Sequence, residues 1–210
     1  MKINFLKSRG GKILFLFFGI AILSGGFFYF QKMKYPEINQ SIETETGYQI
    51  KITKEGKLVE NKNYGVSFII PSDWYLKGTG SDSEISFYSP NTKNNLDNYS
   101  LTSGCRITAS ITEIDFKLDI LEKKLREKFS WPSIAEENYE RIKIQNWPAI
   151  KHSFLEKELQ MFFIGIHIPV NQKLYEFILD SSLKDKDYCQ QEFLKLVASL
   201  HIKNQGVWGE

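Results

Sequence analysis

Tyr64-Gly65-Val66-Ser67-Phe68-Ile69-Ile70-Pro71-Ser72-Asp73-Trp74 is the stretch that decides how this chain folds. Val66, Phe68 and Ile70 alternate with Ser67 and Ile69, the period of a strand with one face in a core. Pro71 ends it, because proline has no N–H to give to a ladder. Ser72-Asp73 then reads as a turn that returns Trp74 toward the core. Before this stretch, residues 48–53 alternate, and 58–60 pair back across Lys54-Glu55-Gly56-Lys57. After it, 84–88 and 106–114 alternate again. Between them, 89–104 is rich in Asn, Ser and Thr and reads as a long loop.

The period changes beyond Ile114. Leu118, Leu121, Leu125 and Phe129 step by three and four, while Glu122, Lys123, Lys124, Arg126, Glu127 and Lys128 fill the other side. That pattern predicts an amphipathic helix, with Asp115 as N-cap and Pro132 beyond its end. Four strands are predicted next, at 139–144, 149–154, 161–168 and 174–179, with Trp147-Pro148 in the first intervening turn. Their short connections imply antiparallel neighbours. A second helix is predicted over 188–200, with Asp187 and Gln190 at the spacing of a capping box. Its apolar stripe is Cys189, Phe193, Leu196, Val197 and Leu200. Strands, helix, strands, helix in that order give an α+β fold: an antiparallel β-sheet flanked by two amphipathic helices.

The 210 residues suit one domain with attachments. Sixteen Phe, ten Tyr and four Trp supply a substantial core. Charge is unevenly spread. Lys2, Lys7, Arg9, Lys12, Lys32 and Lys34 occur before residue 35, with no acidic residue among them. Twenty-one basic groups then face all 25 acidic ones in the remainder. A mildly acidic body offers no footprint for phosphate, so nucleic acid is excluded as a partner.

Residues 13–30, ILFLFFGIAILSGGFFYF, carry no charge. As a helix they would extend about 27 Å, close to the hydrocarbon thickness of a bilayer. Four basic residues precede the span and two follow it. The positive-inside bias places the N-terminus in the cytoplasm and the body outside the cell membrane. A cleaved signal peptide is the competing reading, although four consecutive aromatics make a poor cleavage context. The segments are then 1–12, a cytoplasmic basic stretch; 13–30, a single-pass signal anchor; 31–47, a tether; 48–203, the extracytoplasmic domain; and 204–210, a tail.

Cys105 and Cys189 are the only cysteines. An even count outside the cell favours a disulfide. Two inert thiols, or a reactive Cys189 in a helix's first turn, remain open at this point. His152, His167 and His201 lack the spacing of a metal motif, and no phosphate loop or nucleophile elbow occurs. Asp82, Glu84 and Asp97 do not fit an EF-hand loop. No cofactor is expected.

Together with Tyr64 to Trp74, the segment Trp147-Pro148-Ala149 and the ending Phe193-Leu194 to Ser199-Leu200 resemble the PsbP-like family. The resemblance covers about residues 60–203, and Asn146 stands where the family has Gly in its central hairpin. It implies an extracytoplasmic PsbP-like α/β/α sandwich. It also implies an accessory rather than catalytic role, since photosynthetic members assist the oxygen-evolving complex without catalysing a reaction. No metal ligands or catalytic residues carry over.

The expectation is a membrane-anchored extracytoplasmic binding or accessory module for an envelope protein complex, not an enzyme. It is held in the lipid bilayer through 13–30, with an envelope protein as partner. The contact surface is expected at Asn91, Asn95, Asp97 and Tyr99, with Trp147 nearby. The alternative is a small-molecule or metal-ion binding domain with its site in a sheet–helix cleft.

Overall fold

The computed structural model describes residues 41–43, 47–76, 82–95, 100–129 and 132–203. In chain order its strands begin with β1 (Ser41–Glu43), β2 (Tyr48–Ile52), β3 (Lys57–Asn61), β4 (Val66–Ile70), β5 (Tyr75–Leu76) and β6 (Glu84–Tyr88). A small hairpin follows, β7 (Lys93–Asn94) with β8 (Leu101–Ser103), and then β9 (Cys105–Glu113) and helix α1 (Leu118–Lys128). The second half holds β10 (Ile134–Ile144), β11 (Trp147–Glu156), β12 (Met161–Val170), β13 (Lys173–Ser182), helix α2 (Lys186–Ser199) and β14 (His201–Ile202).

Among the described residues two large antiparallel sheets form where one was expected, besides the β7–β8 hairpin. The smaller has the order β1-β2-β3-β4-β14 and the larger β10-β11-β12-β13-β9-β6-β5. The chain changes sheets in the turn Pro71 to Trp74, where the proline stops the ladder. Single-strand periodicity does not say which sheet a strand joins, so the second sheet was hidden. β1 also falls inside the expected tether, where it pairs with β2.

Alternation splits the large sheet cleanly. Ile107, Ala109, Ile164, Ile166, Phe177 and Leu179 face one side, in a core shared with Phe68, Ile70, Trp74 and the α2 residues Phe193 and Leu196. Phe68 meets Phe177 edge-on, with ring centres 5.5 Å apart. The opposite face is only partly covered: Leu121 and Leu125 of α1 pack on Ile150 and Leu174. The layers are therefore α1, the large sheet, and then α2 with the small sheet.

Several local expectations are corrected. Trp147 and Pro148 lie within β11, not in a turn. β11 pairs with β12 only from Ile150 onward, so no ladder on that side needs an N–H at Pro148. The N-cap of α1 is Lys117, without a side-chain bond, rather than Asp115. α2 starts earlier than expected, after a 3-10 turn at Leu183–Asp185, and Asp187 and Gln190 form no capping box at its N-cap, Asp185. Asp185 instead accepts from the Gly104 N–H at 2.6 Å and the Ser182 hydroxyl at 2.7 Å.

Cys105 and Cys189 form a disulfide across 84 residues, joining the start of β9 to α2. Both are fully buried. The reactive-thiol and inert-thiol readings therefore fall away. Closing so long a loop restricts the unfolded chain by about 4–5 kcal/mol.

The segments 1–12, 13–30 and 204–210 lie outside the described residues. Among those described, no helix is long and apolar enough to cross a membrane.

Candidate functional site

The part of the large sheet's outer face that α1 leaves uncovered is a cleft of about 390 Å³. Register dictates what meets there. One row across the sheet is His152-Gly165-Ile178-Thr108, and the next is Phe154-Phe163-Asp180-Arg106. Glu156 stands two residues beyond Phe154 on the same face of β11, and Phe129 closes the cleft from the end of α1. Phe154 and Phe163 stack at 4.7 Å, and Phe129 tilts against Phe154 at 5.2 Å.

The floor is set by Gly165. A Cβ there would lie 2.6 Å from His167 Nε2, so the imidazole of His167 folds over the glycine. His167 Nδ1 meets Glu176 at 2.9 Å. Burial alone would raise the Glu176 carboxyl, but the hydrogen bond and charge of His167, with Lys128 and Ser110, bring it below its usual value. With Glu176 ionised, Nδ1 is the donor and Nε2 is turned over the glycine.

His152 is 2% exposed and stacks on Tyr139 at 4.2 Å. Its Nε2 has no hydrogen bond, with Glu137 Oε1 the nearest acid at 3.4 Å. Burial, and then the neighbouring His167, lower its pKa to about 4. It is therefore neutral near pH 7.

Asp180 is buried, and its carboxylate accepts from Arg106 Nε at 2.5 Å and also from Arg106 Nη2. Burial pushes the Asp180 carboxyl up, and the guanidinium opposes that. Thr108 shares a 2.8 Å hydrogen bond with Ser86. Glu156 is 4% exposed, yet its Oε1 takes only the Glu158 N–H, at 3.3 Å. Among the described residues it has no ion-pair partner, and no group of three or more His, Cys, Asp or Glu is arranged to hold a metal ion.

Of the expected contact residues, Asn91 and Asn95 are described, and they are not brought together with Trp147. Asn91 is exposed on the β6–β9 connection, Asn95 is half-buried, and Asp97 and Tyr99 lie outside the described residues. That connection is stitched down: Ser89 Oγ takes the Cys105 N–H at 2.9 Å, and Thr92 Oγ1 donates to the Cys105 carbonyl at 2.9 Å. Leu101 N–H reaches Met161 Sδ, so the connection sits at the Met161 end of the sheet. Met161 pairs with Glu156, at the far end of β11 from Trp147. The length of that strand, about 30 Å at the usual rise, separates them. Trp147 is half-buried and packs on the main core. Tyr75 and Leu76 are nearer the connection, on edge strand β5, with Tyr75 stacked on Tyr88 at 5.8 Å.

The cleft residues were missed in the sequence because each is the outward half of an alternating strand. Arg106 and Thr108 alternate with Ile107 and Ala109, a pattern that usually means a solvated face. The signal was the presence of Phe154 and Phe163 among those outward positions.

No protein-family model matches the sequence, and no curated protein does either. Among solved structures the chain is similar to cyanobacterial PsbP (CyanoP) from Synechocystis sp. PCC 6803: 15% identical over 69% of this chain and 90% of that one, with a TM-score of 0.48. It is also similar to a Bacteroides thetaiotaomicron protein, 20% identical over 73% of this chain and 50% of that one, TM-score 0.46. A third is a Pseudomonas aeruginosa protein of unknown function, 12% identical over 75% of this chain and 99% of that one, TM-score 0.47.

Proposed function

We propose that this protein is a non-catalytic binding module of the cell envelope, anchored through residues 13–30, whose external domain takes a small molecule in the sheet–helix cleft. The observation that carries it is the cleft itself. It is concave, walled by aromatic and aliphatic side chains, and has a few buried polar groups converging on it, which is the usual make-up of a ligand site. The uncharged 13–30 span supports the anchor, and the PsbP-like resemblance supports an accessory role. A ligand that binds only the native state raises its melting temperature, by about 2.7 kcal/mol of stability at a hundredfold excess over Kd. Thermal denaturation of the full-length protein against a panel of small metabolites is the test. A rise that disappears when Gly165 is replaced by Leu, which fills the floor, is expected. No rise with any compound would sink the idea.

A second reading has its own support. Tyr75 is 40% exposed and Leu76 37%, on opposite faces of edge strand β5 beside the β6–β9 connection. An edge exposed on both faces suits an envelope protein partner. Cross-linking of Tyr75→Ser/Leu76→Ser in the native membrane would test it, since undiminished recovery of the wild-type partner would exclude this edge.

A further inference from the structure

We infer that the ligand of the cleft is a small organic ammonium ion with an apolar body, seated against Phe129, Phe154 and Phe163 with its charge toward Glu156. The inference rests on the cleft being a ligand site and goes on to name the class of ligand. Three observations converge on it.

The first is the state of Glu156. A carboxylate that is 4% exposed loses most of its water, and burial of a charge is costly unless it is paired. Its one hydrogen bond is a long one from the Glu158 N–H at 3.3 Å, and a carboxylate has about four acceptor sites. The other acids of the cleft are answered: Asp180 by Arg106, and Glu176 by His167. Among the described residues, Glu156 is the acid of the cleft left without a cation.

The second is the wall beside it. Phe154 precedes Glu156 by two residues on the same face of β11, with Phe163 stacked on it and Phe129 tilted over it. Aromatic faces carry negative potential and attract organic cations at a desolvated site. The same rings exclude a bare metal ion, which needs oxygen donors in place of its water.

The third is the polarity of the far end. His152 is buried there, with Nε2 facing Glu137 Oε1 at 3.4 Å. The cleft thus offers a charge site at Glu156, an apolar middle and the imidazole of His152 at its other end. An anionic ligand would have to reach Arg106, whose guanidinium is already committed to Asp180 through two nitrogens. Lys128 is an exposed rim residue of the cleft whose Nζ already lies 5.3 Å from the centre of the Phe129 ring, so the ligand's charge is placed at Glu156 and not on that ring.

The experiment is calorimetric titration of the full-length protein, in detergent, with three probes of one shape: 2-phenylethylammonium, 2-phenylethanol and 3-phenylpropionate. The ammonium ion is expected to bind at least tenfold more tightly than the other two. Glu156→Gln, which keeps an acceptor for the Glu158 N–H, is expected to abolish that preference while leaving the melting curve in place. If Glu156→Gln does not fold, Phe163→Ala serves instead, with the same loss expected. Equal or tighter binding of the alcohol or the carboxylate overturns the ammonium assignment but leaves the cleft as a ligand site. So does an ammonium preference that survives the Glu156→Gln change. Failure of all three probes to bind at millimolar concentration overturns the assignment, and a parallel lack of response to the wider metabolite panel would take the cleft reading with it.

Discussion

His152 is where the chemistry of single residues is most testable. Its folded pKa of about 4 lies below the value of about 6.5 in an unfolded chain. Between those two values the unfolded state binds more protons, so stability rises with pH through this window and levels off above it. On acidification from pH 7 to 4, the His152 contribution is a loss on the order of 3 kcal/mol. His152→Phe, which keeps a ring for Tyr139 to stack on, should flatten this part of the profile. Urea titrations at pH 4.5, 5.5 and 7 check it, and identical slopes for wild type and variant would refute the assignment. Arg106 makes a different kind of prediction. Arg106→Met leaves Asp180 buried without its partner and should cost about 3 kcal/mol, because an uncompensated buried charge is worse than none. Adding Asp180→Leu should recover much of that loss, and strict additivity of the two changes would show that they do not interact.

At the level of elements, much of the fold was legible from period alone. β4, β6, β9 and both helices stand where alternation or three-four spacing put them, because each has one regularly buried face, and β12, buried on both faces, stands where its apolar run put it. What was illegible depends on pairing across distance. The β2–β3 hairpin was legible from its turn, but nothing in Tyr48 to Ile70 says that β4 joins this pair and β14 rather than β9. The β6–β9 connection looked like free loop because its own ladder is only the short β7–β8 hairpin, and Ser89, Thr92 and Ser103 hydroxyls tie the rest to backbone groups. Gly104 is part of the same lock, with φ of 77° and no room for a Cβ beside Thr92. Gly104→Ala should therefore destabilise by more than 1 kcal/mol, read by chemical denaturation. The disulfide fastens the same corner to α2. Replacing both cysteines by Ala should lower stability by about 4 kcal/mol, and a reduced wild type should match the double variant. A reduced protein as stable as the oxidised one would contradict this.

The whole chain joins a basic, apolar N-terminal stretch to a body whose aromatic-walled cleft opens away from the main core. Alkaline extraction of native membranes should leave the full-length chain in the pellet, whereas a soluble chain lacking residues 1–26 would replace the anchor with a cleaved leader. The candidate site was invisible in the sequence for a reason that applies to the fold as a whole. Arg106, His152, Glu156, His167 and Asp180 come from four strands, and only the register of the large sheet gathers them. The most direct test of the cleft as a binding site is native mass spectrometry of the full-length protein released gently from its own membrane, beside the Gly165→Leu variant. A small-molecule adduct retained by the wild type and lost from a folded variant is the expected result. A wild type with no adduct under conditions that retain its detergent shell, or an adduct that persists in the variant, would contradict it.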